Sequence, residues 1–212
     1  MTKKISLFLL GVGIFFLFVL FSYIVHRNVF THFDFNTTVR LQDHISRRFD
    51  GPFSILSDIG SFEPMIILLI IVLIWRRKIL GIVAFGLFGL LHVFELYGKF
   101  FVQHPPPPQF MIRTEKLAEF PQFYVRSQFS YPSGHAARAG FLTALFGAFV
   151  ISSKLTRNKK IVLLSILVCY DIAMFVTRIY LGEHWATDVI GGAMLGLSLG
   201  VLGGVFLLPQ KF

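Results

Sequence analysis

Apolar runs long enough to cross a lipid bilayer recur along this chain, and they limit its fold more than any other feature. Residues 5–25 carry no charged side chain. At about 1.5 Å per helical residue such a run reaches across a hydrocarbon core of roughly 30 Å. Comparable stretches occupy residues 79–101, 134–153, 161–180 and much of 183–208, and residues 64–75 form the core of a second span. The sequence is 55% hydrophobic with a mean hydropathy of +0.71, more than a soluble core of this size needs. The expectation is an all-α, polytopic membrane protein with six transmembrane helices, forming a single domain over residues 1–212. The first run lacks a small-residue cleavage site and is long for a signal peptide, so it is expected to remain as a span.

Between the first two spans, Leu41, Ile45 and Phe49 recur at four-residue spacing, with Arg40, Asp43 and Arg47 between them. That pattern predicts a short amphipathic helix at the membrane interface before the second span. The 20 basic residues exceed the 11 acidic ones. In a membrane chain this excess belongs to cytoplasmic loops, and no basic helix or aromatic RNA-binding pattern points to nucleic acid. The single cysteine, Cys169, excludes an intrachain disulfide, and no internal repeat is visible.

The chemistry-bearing residues gather in three stretches. Pro132 stops a helix arriving from the N-terminal side, and Ser133 is a good N-cap for the apolar helix that follows. The amides of Ser133, Gly134 and His135 are then orphan donors at a helix start, suited to an anion, and Gly134 leaves room for close approach. His184 and Asp188 are four apart, a spacing that shares a helix face and lets the carboxylate orient the imidazole. Arg178 lies just before them, with the fork that phosphate oxygens favour. Lys99 closes the third apolar run, four residues after Glu95, and precedes the proline run of residues 105–108. Ionisable residues at such positions in a membrane chain point to function.

These stretches resemble the signature of the type-2 phosphatidic acid phosphatase superfamily, which holds membrane lipid phosphatases, glucose-6-phosphatase and the soluble vanadium-dependent haloperoxidases. The family's Pro-Ser-Gly-His stands unaltered at Pro132, Ser133, Gly134 and His135. Its Ser-Arg-x5-His-x3-Asp appears as Thr177, Arg178, His184 and Asp188, with Thr for Ser. Its Lys-x6-Arg-Pro keeps Lys99 and Pro107, but Pro106 stands where the Arg belongs. The resemblance spans a motif core of residues 99–188. It implies a lipid phosphatase similar to those acting on phosphatidylglycerophosphate or undecaprenyl pyrophosphate.

No hydroxyl-bearing triad is present, so His184 is the candidate nucleophile and Asp188 its orienting carboxylate. Lys99, Ser133, Gly134 and Arg178 are candidates to bind the phosphoryl oxygens. His135 is placed to protonate the leaving oxygen and then to activate water against a phosphohistidine. Cationic clamps rather than carboxylate ligands imply no metal and no cofactor. Arg113 and Arg126, in the long loop of residues 102–131, are candidate substitutes for the missing Arg. Arg138 and Asp171 fall deeper in the fourth and fifth spans and are expected to pair. The same residues leave other readings open: phosphoryl transfer to a second lipid, metal ligation by two histidines and an aspartate, or a transporter's charged path.

With six spans, the short basic loops at Lys3 and Lys4, Arg76 to Lys78, residues 154–160 and Lys211 fall on one side. The positive-inside rule makes that side cytoplasmic and puts the site on the extracytoplasmic face of the cell membrane. The expected partner is a lipid phosphate in the bilayer. The sequence assigns no oligomeric state.

Overall fold

The computed structural model describes residues 3–76, 81–115 and 128–207, which form eight α-helices and no strand. These are α1 (Lys3–His26), α2 (Thr31–His44), α3 (Asp50–Ile59), α4 (Phe62–Arg76), α5 (Gly81–Val102), α6 (Gly134–Ser152), α7 (Arg157–Tyr180) and α8 (Ala186–Leu207). Helices α1, α5, α6, α7 and α8 are each long and apolar enough to cross a membrane. The sixth crossing is a broken one. With its 15 residues, α4 reaches only about 22 Å, and it joins α3 across a bend of 48°. The all-α, multi-pass expectation holds, with five spans and a bent pair.

The interfacial helix differs in register from the expected one. It runs over Thr31–His44 and ends at Ile45, whose backbone is extended. Leu41, Ile45 and Phe49 therefore do not share one helix face. A 3-10 turn at Arg47–Phe49 separates α2 from α3. The basic residues Arg77, Lys78 and Lys211 lie outside the described residues.

Helices α6 and α8 form the inner pair, and α1, α5 and α7 keep broad apolar faces outward. Lipid tails are as apolar as leucine, so helices in a bilayer gain little by merely hiding apolar surface from them. Close contact between backbones is what binds them. Gly192, Gly196 and Gly200 supply that contact on α8. A methyl group on these residues would strike the backbone of Ser133, Ala137 and Phe141 respectively. Phe88, Tyr131, Phe141, Leu145 and Leu195 fill the core beside this seam. Tyr131 is fully buried, stacks on Phe18 at 6.3 Å, and shares a hydrogen bond of 2.8 Å with Ser22.

The chain order now fixes which ends meet. His26 at the end of α1 contacts the Val102 carbonyl at the end of α5, 3.1 Å away. The C-terminal ends of α1, α5 and α7 and the N-terminal ends of α6 and α8 thus face one side of the bundle. The Lys154–Lys160 segment faces the other.

Candidate active site

The loop before α6 and the start of α8 are joined backbone to backbone. Ser133 N–H donates to the Asp188 carbonyl over 2.9 Å. This bond holds the second motif against the third. Ser133 occupies the N-cap position of α6, with extended backbone, but its side chain makes no capping bond. Its Oγ is buried and has no hydrogen-bond partner among the described residues. A hydroxyl in that state costs stability and is what an oxyanion would satisfy. Gly134 has a further reason to lack a side chain. A Cβ there would lie 2.7 Å from the carboxyl carbon of Glu95 on α5.

The third motif turns between two helices. Gly182, at φ +69°, takes the left-handed conformation that ends α7. His184 lies two residues before α8, so the expected single-helix face for His184 and Asp188 is replaced by a turn-to-helix contact. His184 Nδ1 stands 3.6 Å from Asp188 Oδ2. The carboxylate of Asp188, in the first turn of α8, also accepts the Trp185 backbone N–H at 2.9 Å. That is one half of a capping box. Its other oxygen accepts His104 Nδ1–H at 2.8 Å.

His184 is held neutral. Burial, the largest effect, together with the positive charges of Arg178 and Lys99, outweighs the nearby carboxylate of Asp188 and lowers its pKa to about 4. A neutral imidazole with Nδ1–H toward a carboxylate leaves Nε2 as a nucleophile. His135, in the first turn of α6, feels the charges of Arg178, Arg138, His184 and Lys99. The expected site residues are therefore brought together at the ends of α5, α6, α7 and α8.

Both clamps have internal partners. Lys99 Nζ is 3.5 Å from the Phe129 carbonyl. Arg178 donates to the Ser57 hydroxyl of α3 and to the Glu183 carboxylate. Among the described residues, no three or more His, Cys, Asp and Glu side chains are arranged to hold a metal ion.

Two expectations give way. Arg138 does not pair with Asp171. Its guanidinium faces Glu95 at 3.6 Å and donates to the Gly60 carbonyl at 3.3 Å, while Asp171 accepts the Thr143 hydroxyl at 2.9 Å. The depth difference between the two residues is settled by each finding a partner at its own level. Arg113 is no substitute clamp. Its guanidinium donates to the Gln42 carbonyl at 3.0 Å and lies over the Tyr180 ring at 5.2 Å. Arg126 lies outside the described residues. Two residues were missed altogether, His104 and Asp34. His104 sits only two residues before Pro106, so the broken first motif was the signal. Asp34 gave none, because only the fold brings α2 to Thr187, whose N–H and hydroxyl it accepts at 2.8 and 2.7 Å.

Comparison with known proteins places the fold and the family. Phosphatidylglycerophosphatase B of Bacillus subtilis (strain 168) is 35% identical over 83 residues, covering 38% of this chain and 40% of that protein. The chain thus matches about two fifths of that relative's length. The crystal structure of a transmembrane PAP2-type phosphatidylglycerolphosphate phosphatase from Bacillus subtilis superposes with a TM-score of 0.74 at 21% identity, covering 91% of this chain and 93% of that one. The structure of LpxE from Aquifex aeolicus gives a TM-score of 0.61 at 22% identity, covering 81% and 94%. The sequence profile of the PAP2 superfamily matches residues 77–209, well over half of the chain, and the protein belongs to that superfamily.

Proposed function

We propose that this protein is a metal-independent phosphatase of lipid phosphates or pyrophosphates, working through a phosphohistidine on His184. The observation that carries the reading is the buried imidazole of His184, 3.6 Å from Asp188 and within reach of the charges of Arg178 and Lys99. In the first half-reaction Nε2 of His184 forms a bond to phosphorus as the bond from phosphorus to the leaving oxygen breaks. His135 gives that oxygen its proton. Asp188 faces the positive charge that develops on the imidazole. Lys99, Arg178, Ser133 Oγ and the Gly134 amide meet the charge on the equatorial oxygens. In the second half, His135 takes a proton from water, which attacks phosphorus and frees His184.

A lipid substrate suits a site at the helix ends of a membrane bundle, where a headgroup enters and its chains stay in the bilayer. The relative's name, phosphatidylglycerophosphatase, supports the same substrate class. The site lies on the side opposite the basic Lys154–Lys160 segment, which supports an extracytoplasmic face. Phosphate release by the purified protein from phosphatidylglycerophosphate, phosphatidate, undecaprenyl pyrophosphate and lipid A phosphate, in excess EDTA, tests the reading. Release should be unaffected by EDTA and inhibited by vanadate. An acid-labile, alkali-stable phosphoprotein should form and be absent from His184→Asn. Loss of activity in EDTA with rescue by a divalent metal would overturn it. Addition of a second lipid acceptor separates hydrolysis from transfer.

A further inference from the structure

The carboxylate of Asp188 serves two histidines. His184 stands at 3.6 Å from one oxygen, and His104 Nδ1 at 2.8 Å from the other, so the shorter bond belongs to the residue outside the three motifs. His104 is itself fixed. Its carbonyl accepts the Ser130 N–H at 2.9 Å and the Ser130 hydroxyl at 3.2 Å, tying it to the loop that leads to Ser133. Its second nitrogen, Nε2, is 3.9 Å from a carboxylate oxygen of Asp34. That carboxylate is in turn held by Thr187, the residue before Asp188. The ring also borders a cavity of about 210 Å³, lined with it by Asn28, Thr31, Asp34, Pro105 and Trp185.

We propose that His104 is a positioning residue for the reaction, whose Nδ1–H pins one oxygen of Asp188 so that the other stays aimed at His184. This inference rests on the role of Asp188 proposed above. A carboxylate swings about its Cβ–Cγ bond. Trp185 N–H and His184 both meet Oδ2, and His104 alone among the described side chains hydrogen-bonds Oδ1. With His104 neutral, its Nδ1–H orients Asp188 and leaves the full negative charge for the phosphoimidazolium of His184. With His104 protonated, the same charge is shared between two cations and stabilises that intermediate less. No proton moves to or from His104 during turnover.

The charged groups facing His104 are Asp188 of α8 and Asp34 of α2. Burial, the largest single effect, lowers its pKa, but the hydrogen bond and charge of Asp188 and the charge of Asp34 together outweigh it and raise the pKa above the ordinary value. His104 is therefore protonated more readily than an ordinary histidine, and its ring also borders the cavity beside Asp34. The segment that carries Pro106 in place of the family's Arg acts here through Asp188 instead.

The experiment compares phosphate release by the wild type, His104→Leu and His104→Asn between pH 5 and 8.5, with thermal unfolding of each in detergent. His104→Leu should lower kcat roughly tenfold with KM little changed, the scale of losing an orienting partner behind a reacting histidine. Asparagine carries a donor near the place of Nδ1 and cannot titrate. His104→Asn should recover kcat at pH 8 to within about threefold of wild type and outpace the wild type at pH 5.5. Its kcat profile should show one acid-side ionisation fewer. Equal kcat in all three proteins, an Asn variant as impaired as Leu, or an Asn profile with every wild-type ionisation would overturn the inference. Turnover by the wild type with any of those patterns leaves the phosphatase reading standing. No turnover by the wild type on any lipid sinks both.

Discussion

Glu95 and Arg138 face each other at 3.6 Å directly beneath Gly134, one from α5 and one from α6. The ion pair joins the helix that carries Lys99 to the helix that carries His135. Removing one partner leaves a charge stranded inside the bundle, at a cost of about 3–5 kcal/mol when a buried pair is broken. Arg138→Met should therefore lower the unfolding temperature in detergent sharply. Arg138→Met combined with Glu95→Leu should recover much of that loss, read from a double-mutant cycle. Asp171→Leu should add its effect independently, because its partner is Thr143.

Ser133 offers a separation of stability from function. Its hydroxyl is buried without a partner among the described residues, a state worth about 1–3 kcal/mol of penalty. Ser133→Ala should leave the unfolding temperature unchanged or raised. It should also weaken vanadate inhibition and lower kcat/KM by roughly tenfold, the loss of about 1.4 kcal/mol of interaction. A variant that loses stability and keeps kcat/KM would show the hydroxyl to be structural.

The pH dependence of stability follows from His184. Its folded pKa of about 4 lies below the ordinary value of 6.5. Between those values the unfolded chain binds the proton and the folded one does not, so stability rises with pH across this window. The contribution is complete above about pH 6.5, is lost as pH falls toward 4, and amounts to ~3 kcal/mol. Unfolding in detergent should become easier from pH 6.5 down to 4, and His184→Asn should flatten that slope.

The glycine seam predicts a graded series. Gly192→Ala should disturb the site, because the new methyl meets the Ser133 carbonyl and, at 3.2 Å, Ala136. Gly204→Ala meets only the Ala148 methyl, at 2.8 Å, near the far end of the seam. Gly13→Ala on α1 meets nothing within 4 Å. Phosphate release should fall by more than tenfold in the first, roughly the loss expected when reacting groups shift by an ångström. It should fall less in the second and hold in the third.

The parts of this protein visible in its sequence are those set by composition and short-range spacing. Span boundaries from α5 to α8 follow from apolar length, and the three motifs carry their own turn and capping chemistry. What escaped needed tertiary distance. Leu41, Ile45 and Phe49 carry a helical period, yet Ile45 is extended and α2 ends there. Its buried residue Asp34 follows a different register, set by contact with Thr187. Arg138 and Asp171 were paired by depth alone, whereas partners are chosen by which helix lies alongside. His104 is not singled out by spacing, because its hydrogen-bond partner Asp188 stands 84 residues away.

The close seam between α6 and α8 separates two kinds of adaptability. The proposed reacting residues, His135 and Asp188 and His184 in the turn before α8, stand at the ends of helices locked backbone to backbone by Gly192, Gly196 and Gly200. Lys99 and Arg178, the proposed clamps, stand on α5 and α7, whose outer faces meet lipid. On the proposed mechanism, acceptance of a different headgroup would be tuned by side chains of α5 and α7, with the α6–α8 pair left as it is.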